Sequence, residues 1–491
     1  MSDEFEVFVT ADEAFPAFER AVLSAQRSVV AGFRIFDMTT RLRSAEARAI
    51  GETWFDLLAH VIRRGVAFDL TVSDFDPVMA TELHRRAWTT VRQGAALAEI
   101  ADAAPGRVAV RAHMHPARAG LLPRLAFLPL VLRRRGKAVR EMPQAALSRE
   151  AIGLQDASPP DLCPVSHHQK VAVIDDRVLY VGGLDLNDRR YDTPDHDRPS
   201  RETWSDVQVI ATGKAAREAR RHLDTMARVT AGEIDPPPFR RLKRTLSVPR
   251  RMQFPFVSPR TVLNEIEQAH LQAFAEARHL IHIETQFFRS RRIADGLAEA
   301  AARNRDLSAL VILPGAPDEL VHDGKTGLDM RFGLSRAQDA IGTVRDAMGE
   351  RALFAVPVRP ILAARCDLAT LAGSPMIHVH NKVLVQDDDL VLIGSANLNG
   401  RALRWDTELA VDTRAPSQVA AARAKLLSHW WFAPLPAEAR APETLLAWWR
   451  REITRNAVHR PENRSGFLVP FDAGKTRDIA QPLPGVTEDI V

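Results

Sequence analysis

The chain has 491 residues, of which 46% are hydrophobic, and its formal net charge is +4 at pH 7. This length predicts two globular cores of roughly 200 residues each. No apolar run reaches the ~20 residues that a bilayer-spanning helix needs, and the small positive charge disfavours a nucleic-acid-binding protein. Two cysteines, Cys163 and Cys366, are predicted to be reduced and unpaired.

The first half of the chain alternates helical and strand patterns. Its N-terminus is acidic and lacks the apolar stretch of a secretory signal. We therefore expect a cytoplasmic protein or one bound peripherally to a membrane, with export by another route left open. Apolar periodicity predicts helices at residues 11–26, 54–64 and 81–99 and strands at residues 28–36 and 66–72.

A long insertion follows at residues 113–166. Within it, residues 121–132 are largely apolar, and five basic residues follow in the range 133–140. Such a segment can lie on an anionic membrane surface; the alternative is a buried or hinge segment with a solvated basic edge. Pro123 and Pro129 favour the alternative, because proline disfavours a continuous amphipathic helix.

The same order of elements returns in the second half. Helices are predicted at residues 262–278, 291–302 and 331–348 and strands at residues 280–284 and 308–313. Alternating helices and strands predict an α/β fold with sheets covered on both faces. The predicted divisions are a first domain at 1–235, a linker at 236–256, a second domain at 257–435, and a C-terminal helix with an extended tail at 436–491.

A sixteen-residue pattern occurs in both halves. It consists of a histidine, a lysine two positions later, an aspartate five positions after the lysine, and Gly-Gly or Gly-Ser after six further residues. Two copies in register, 212 positions apart, are not explained by chance. The residues are His168, Lys170, Asp175 and Gly182-Gly183 in the first copy and His380, Lys382, Asp387 and Gly394-Ser395 in the second.

The pattern fits a phosphate site. Apolar runs around each copy predict a hairpin of buried strands, in which the histidine and the lysine share one face. An imidazole can attack or donate a proton near neutral pH, and the ammonium beside it attracts a phosphoryl anion. A glycine pair lets the backbone approach a ligand, and the side chains of Asn187 and Asn397 can donate to phosphate oxygens. Each copy supplies one imidazole, so the two copies must meet.

Four carboxylates are candidates for supporting roles. Asp175 and Asp387, at the strand ends, are predicted to fix the hairpins through hydrogen bonds. Asp206 and Glu408, on the strand after each motif, are candidates to hold the imidazoles in the correct tautomer. The sequence has no Cys/His cluster or paired acidic motif, so neither a metal nor another cofactor is expected.

These residues resemble the phospholipase D superfamily, whose signature is His-x-Lys-x4-Asp followed by Gly-Gly or Gly-Ser. Residues 281–288, Ile-His-Ile-Glu-Thr-Gln-Phe-Phe, are similar to the family's Ile-Tyr-Ile-Glu-Asn-Gln-Phe-Phe element, and residues 204–206 resemble its Trp-x-Asp segment. The resemblance covers most of residues 5–430 and is strongest to bacterial phospholipases D and transphosphatidylases. It implies two phospholipase D-like α/β/α sandwich subdomains related by a pseudo-twofold axis, with the active site at their interface.

The resemblance also implies a reaction. The enzyme would cleave the distal phosphodiester bond of a phospholipid through a covalent phosphohistidine, without a metal, and water or a second alcohol would complete hydrolysis or transphosphatidylation. Many members of the family use the N-terminal histidine to attack, which makes His168 the nucleophile and His380 the acid. The phosphoryl oxygens would be bound by Lys170, Lys382, Asn187 and Asn397.

Other functions remain as alternatives. A cardiolipin synthase-like phosphatidyltransferase is the first, although such enzymes usually carry N-terminal membrane helices. A nuclease of the superfamily is disfavoured, because these enzymes tend to be short, with one motif, and to dimerise. A catalytically silent binding module is disfavoured by the intact histidines and lysines. We therefore expect a monomer with a phospholipid substrate, possible contact with a membrane surface, and no nucleic-acid partner.

Overall fold

Two large mixed β-sheets carry the fold, which the computed structural model describes for residues 4–141 and 161–491. Among these residues, one sheet has seven strands and the other nine, and a two-stranded ribbon accompanies them. The strands are β1 (Phe5–Val9), β2 (Ser28–Phe33), β3 (Ala67–Ser73), β4 (Val108–His113), β5 (Lys170–Ile174), β6 (Val178–Gly182), β7 (Val207–Thr212), β8 (Leu242–Val248), β9 (Arg260–Asn264), β10 (Leu280–Thr285), β11 (Ser308–Ile312), β12 (Ala352–Pro357), β13 (Thr370–Leu371), β14 (Ser374–Pro375), β15 (Lys382–Gln386), β16 (Leu390–Gly394), β17 (Glu408–Thr413) and β18 (Leu468–Pro470).

Helices flank both sheets, as the alternating pattern predicts. On the first sheet, for example, Phe18 of the first helix stacks on Tyr180 of β6 with ring centroids 4.1 Å apart. The helices of the described residues are α1 (Thr10–Leu23), α2 (Ala45–Arg48), α3 (Trp54–Arg63), α4 (Thr81–Ile100), α5 (Leu121–Glu141), α6 (Lys214–Thr230), α7 (Glu265–Glu276), α8 (Arg291–Arg303), α9 (Asp318–Asp323), α10 (Leu328–Met348), α11 (Gly400–Arg404), α12 (Pro416–His429) and α13 (Leu445–Val458).

The two sheets repeat one topology. The first has the order β1-β7-β6-β5-β2-β3-β4, and seven consecutive strands of the second have the order β8-β17-β16-β15-β10-β11-β12. In both, three parallel strands (β2, β3 and β4, or β10, β11 and β12) adjoin an antiparallel hairpin that begins at the motif lysine. The predicted fold class is confirmed: the chain is an α/β protein built from two equivalent halves.

The inner faces of the two sheets share one apolar core. Its side chains come from the motif hairpins and from the strands that follow them, and it includes small residues of α6 and α12. Because the hairpins of both halves lie in this shared core, burial of apolar surface stabilises their mutual position. The core includes Val171, Val173, Leu179, Val181, Val207, Val209, Val383, Val385, Val391, Ile393, Leu409 and Val411.

The structure differs from the sequence prediction at residues 121–132. They belong to α5, a continuous helix in which Pro123 lies in the first turn and Pro129 lies inside. Proline is tolerated in a first turn, since those N–H groups have no partner within the helix. Pro129 removes one internal hydrogen bond, but the carbonyl that loses its partner belongs to exposed Leu125 and can bind water. Residues 142–160 of the predicted insertion lie outside the described residues.

Residues 236–256, predicted to be a linker, contain a strand of the second sheet. β8 pairs with β17 and β9, and Leu242, Leu246 and Val248 are buried. The basic residues of this strand made its sequence look like an exposed linker. Arg244 is nevertheless buried, and it pairs with Glu265 at 3.0 Å. The C-terminal tail also contributes to this sheet, because β18 pairs with the edge strand β12.

Candidate active site

The histidine and the lysine of each motif lie at the end of a sheet where its parallel strands finish. Lys170 is paired with Phe33, the last residue of β2, and Lys382 is paired with Thr285, the last residue of β10. In open α/β sheets, ligands bind at these carboxyl ends. Topology therefore places both motif histidines where a ligand site is expected.

The backbone at each motif histidine is hydrogen-bonded to the opposite half of the repeat. The amide of His168 donates to the carbonyl of Thr407 at 2.9 Å, and the amide of His380 donates to the carbonyl of Ser205 at 2.8 Å. These contacts form two parallel bridges, between His167 and Thr407 and between Ser205 and Val379. Each histidine is therefore held next to the acidic residue that follows the other motif.

The carboxylate that follows each motif contacts the histidine of the other motif. Asp206 Oδ2 lies 2.6 Å from Nδ1 of His380, and Glu408 Oε1 lies 2.9 Å from Nδ1 of His168. Both carboxylates are buried. The Asp206 carboxylate accepts a hydrogen bond from Nδ1 of His380, which favours the tautomer that carries its proton there and leaves Nε2 as the basic nitrogen of a neutral ring. Glu408 makes the corresponding close contact with His168. The geometry brings all four of these sequence-predicted residues into one centre.

The motif lysines lie against the imidazoles of their own copies. Lys170 Nζ donates to the carbonyl of His168 at 2.6 Å and lies 3.3 Å from its Nδ1. Lys382 Nζ lies 2.8 Å from Nδ1 of His380 and donates to its carbonyl. Both lysines are buried, so the amino group of each is held in place at the centre.

Burial disfavours every isolated charge in this centre. It lowers the pKa of His168 and of His380 well below the usual histidine value, and the neighbouring lysines lower both further. Burial also lowers the pKa of Lys382 to about 7 and raises the pKa of Asp206 to about 6. It raises the pKa of Glu408 well above the usual carboxylate value. The imidazoles are therefore neutral near pH 7, as nucleophilic attack requires.

Asp175 and Asp387 lie at the other end of the sheets. The carboxylate of Asp175 accepts the backbone N–H groups of residues 26–28 at 2.7–2.9 Å. Asp387 accepts those of residues 278–280 at 2.7–2.9 Å. Each carboxylate thus fixes the start of the parallel strand that pairs with its hairpin, away from the histidines.

Asn187 and Asn397 are not equivalent in the repeat. Leu186 bridges Phe36 and Leu398 bridges Phe288, so the counterpart of Asn397 is Asp185. Asn187 corresponds instead to Asn399, whose side chain accepts the Ala402 N–H at 3.2 Å and caps α11. Asn187 and Asn397 are nevertheless both buried, and the side-chain oxygen of each has no hydrogen-bond partner within the described residues.

Two arginines near this centre were missed by the sequence analysis. Arg34 follows β2, and its Nη1 lies 3.9 Å from Oδ2 of buried Asp185. The guanidinium of Arg190 stacks 3.7 Å from the ring centroid of Trp204, and burial lowers its pKa to about 10. Alignment of residues 29–36 with the matching element at 281–288 would have found Arg34, which occupies the position of Gln286.

The second residue of the Gly-Gly or Gly-Ser pair lies against the carboxylate of its own half. A Cβ on Gly183 would lie 2.0 Å from Oδ1 of Asp206, so only glycine leaves room for this acid. In the second copy Ser395 takes the same place, and its hydroxyl donates to Glu408. The predicted room for a ligand is therefore occupied by Asp206 at this position.

The element at residues 281–288 is hydrogen-bonded to the second motif. Glu284 is buried and accepts the indole N–H of Trp430 at 3.0 Å and the side-chain amide of Asn381. Asn381 in turn accepts the hydroxyl of Ser205 at 3.1 Å. This chain of hydrogen bonds connects the residue between His380 and Lys382 to the segment that carries Asp206.

Comparison with known proteins gives partial matches over much of the chain. A family model described as "Cardiolipin synthase, PLD-like domain" matches residues 270–431. Phospholipase D1 of Schizosaccharomyces pombe is 26% identical over 355 residues, which cover 51% of this chain and 25% of that protein. Phospholipase D2 of Bos taurus is 26% identical over 354 residues, covering 50% of this chain and 38% of the relative. The chain thus spans well under half the length of these relatives.

A solved structure of a phosphatidylserine synthase from Haemophilus influenzae Rd KW20 aligns with 92% of this chain and 93% of its own, at 13% identity and a TM-score of 0.45. The sequence matches include the whole of the second motif, from His380 to Ser395. The same motif occurs in the first half. These sequence matches support membership of the phospholipase D superfamily.

Proposed function

We propose that the protein is a phosphodiesterase that cleaves the distal phosphodiester bond of phospholipids. The observation that carries this proposal is the reciprocal pairing of His168 with Glu408 and of His380 with Asp206, at distances of 2.9 Å and 2.6 Å. Two neutral imidazoles oriented by carboxylates, each beside a buried ammonium, suit a substrate that carries one negative charge at phosphorus.

In the first step, Nε2 of His168 attacks phosphorus. The P–N bond forms as the bond between phosphorus and the head-group oxygen breaks, and His380, protonated when the anionic substrate binds, gives its proton to that oxygen. In the second step His380 takes a proton from water, the resulting hydroxide attacks phosphorus, and the P–N bond breaks. The products are a free head-group alcohol and a phosphatidic acid. A second alcohol in place of water yields a transphosphatidylation product.

The lysines supply the electrostatic part of this proposal. Lys170 and Lys382 would bind the non-bridging oxygens as negative charge develops on them, with Asn187 and Asn397 as further donors. Arg34 adds a positive charge on the side of His168. Burial is the largest cause of the low pKa of His168, and the charge of Arg34 lowers that pKa further. Asp175 and Asp387 would act on stability alone.

A phosphatidyltransferase of the cardiolipin synthase type is the second candidate. It is favoured by the description of the family model that matches residues 270–431. Its first step would be the same, but the alcohol that resolves the phosphohistidine would be the glycerol head group of a second lipid. In the described part of the chain, no helix combines the length and apolar character needed to cross a bilayer.

Product analysis tests both candidates. Mixed vesicles of phosphatidylcholine, phosphatidylethanolamine, phosphatidylserine and phosphatidylglycerol would be incubated with the protein, with and without a primary alcohol, and the lipids identified by mass spectrometry. Phosphatidic acid, or a phosphatidylalcohol when alcohol is present, supports the first candidate. Cardiolipin with release of glycerol supports the second. A His168→Ala, His380→Ala variant provides the control, and the absence of all three products from the unaltered protein would overturn the proposal.

A further inference from the structure

The first half of α5 exposes apolar side chains around most of its circumference. Leu122 and Leu125 are 55% and 56% exposed, and other large apolar residues of the same segment are also exposed. A helix of a soluble protein normally buries such residues along one stripe. These exposed residues are Leu121, Leu122, Leu125, Phe127, Leu130 and Leu132.

A second segment extends this exposed area. The amide of Gly120 donates to the carbonyl of Phe256 at 2.8 Å, and the amide of Leu122 donates to the carbonyl of Phe254 at 3.1 Å. A Cβ on Gly120 would lie 1.8 Å from the Gln253 carbonyl, so the close approach depends on this glycine. Met252, Phe254 and Phe256 are all exposed, and with the exposed residues of α5 they form what we call the α5 surface.

The α5 surface is fixed to the body of the protein near the candidate active site. Val131 is buried against Val78, and Arg124 pairs with Asp161 at 2.8 Å. α5 follows β4, whose last residue, His113, has its Nδ1 2.8 Å from Nε2 of His167, the neighbour of His168. The helix therefore starts from the end of the sheet at which the motif histidines lie.

Positive charge adjoins the apolar residues. The second half of α5 carries five basic residues, and no acidic residue occurs between positions 121 and 140. Arg250 and Arg251 flank the second segment, and the Arg250 guanidinium lies 4.5 Å from the ring centroid of Phe256. The basic residues of the helix are Arg133, Arg134, Arg135, Lys137 and Arg140.

We propose that the α5 surface docks on an anionic lipid bilayer, with its leucines and phenylalanines at the level of the acyl chains and its basic residues at the head groups. Exposed apolar patches bordered by charge mark interaction sites, and a bilayer with anionic lipids offers both complementary properties. A second copy of this chain would instead bring two basic surfaces together, at an electrostatic cost. The proposal adds to the proposed function a route by which lipid reaches the site, but binding itself does not depend on catalysis.

Vesicle sedimentation tests the proposal. The full chain would be mixed with vesicles of phosphatidylcholine alone and with vesicles containing phosphatidylglycerol at 30 to 40%, at low and high salt. We expect binding to the anionic vesicles that weakens as salt screens the charges. Arg133→Gln with Arg140→Gln should weaken binding by about fivefold per residue, so about twenty-fivefold together. Leu122→Gln with Leu125→Gln and Phe254→Gln should weaken it by at least about tenfold.

Matched controls come from the opposite end of the sheets. Ile100 is 55% exposed at the end of α4, on the side from which β4 starts, and Arg305 is an exposed residue before β11. Ile100→Gln and Arg305→Gln should leave vesicle binding unchanged. Binding by the α5 variants that equals that of these controls would overturn the proposal.

Two further measurements distinguish lipid docking from a structural role of the α5 surface and from self-association. Turnover of a soluble short-chain phosphodiester should be the same in the α5 variants and the unaltered protein, and loss of that turnover would show that the surface supports the fold instead. Light scattering should give one chain per particle. A dimer that the Leu122, Leu125 and Phe254 substitutions dissociate would overturn the proposal in favour of self-association. If vesicles bind but no lipid product forms, the proposed function fails and the docking surface stands.

Discussion

Asp206 Oδ2 lies 2.6 Å from Nδ1 of His380 across the boundary between the two halves of the repeat. Glu408 makes the reciprocal contact with His168 at 2.9 Å. Neither half therefore contains a complete candidate site, since each imidazole is oriented by an acid that belongs to the other half. Substitutions at these four residues therefore test whether the two halves of the repeat act as one site.

Replacement of either orienting carboxylate should reduce turnover strongly. Asp206→Asn keeps the shape of the side chain, but its amide is able to favour the wrong tautomer of His380. We expect kcat to fall by about 10³-fold to 10⁴-fold, and a similar fall for Glu408→Gln. Turnover of a soluble short-chain phospholipid measures both. Ser205→Ala, which removes a hydroxyl from Asn381 without touching an imidazole, serves as a control and should cost less than about tenfold.

A change of leaving group should distinguish the roles of the two histidines. His168→Ala should abolish the covalent phosphoryl-enzyme with every substrate. His380→Ala should slow its formation from an alkyl ester, but much less from a p-nitrophenyl ester, whose leaving group needs no proton. Quenched-flow trapping of labelled protein measures the intermediate. Labelled phosphohistidine in His168→Ala would reverse the assignment of roles.

Much of the site follows from sequence because the motif is local. His168 and Lys170 occupy alternate positions leading into one strand, and the two copies fix each other's register. The pairing of each histidine with the acid of the other half could not be derived, since it depends on the bridge between Ser205 and Val379, 174 positions apart. Arg34, by contrast, was within reach of the sequence, because alignment of residues 29–36 with residues 281–288 puts it at the position of Gln286.

The elements that sequence reasoning misjudged are those in which charge or proline obscured the pattern. β8 has buried apolar residues, but Arg244 is buried among them because Glu265 neutralises it. α5 continues past Pro129 because a surface carbonyl can exchange its partner for water. A tertiary ion pair in the first case and solvent in the second satisfied a group that local rules treat as unfavourable.

Gly183 should not tolerate a side chain. A Cβ at this position would meet Oδ1 of Asp206 at 2.0 Å, so Gly183→Ala must displace the carboxylate that orients His380. A shift of about 1 Å in such a group costs about 10²-fold in turnover, which is the loss of kcat that we expect. Gly342→Ala is the matched control, since no atom lies within 4 Å of a Cβ built there. Equal kcat in the two variants would contradict this account of the glycine.

Asp387 should matter for stability and not for chemistry. Its carboxylate accepts three backbone N–H groups at the start of β10, the end of the sheet away from His380. Asp387→Ala should lower the free energy of unfolding by about 2 to 4 kcal/mol, from the loss of charge-assisted hydrogen bonds. Urea denaturation measures this change. At a temperature where the variant is folded, kcat should stay within about threefold of the unaltered protein, and a hundredfold loss would assign Asp387 a part in the reaction.

The dependence of kcat/KM on pH should have a narrow maximum. Burial raises the pKa of Asp206 to about 6, so the carboxylate is protonated below that pH and no longer orients His380. Burial lowers the pKa of Lys382 to about 7, so above that pH the ammonium that attracts phosphate is lost. Activity should therefore rise as pH increases to about 6 and fall above about 7, with both limbs shared by the coupled groups.

A soluble phosphodiester makes this measurement clean, because its own charge does not change between pH 5 and pH 9. Lys382→Arg gives the decisive comparison. A guanidinium keeps its charge throughout this range, so the alkaline limb should disappear in the variant even though its kcat/KM is lower at every pH. An alkaline limb that persists unchanged in Lys382→Arg would assign that limb to another group, and a profile that is flat from pH 6 to pH 9 in the unaltered protein would contradict the low pKa of Lys382 itself.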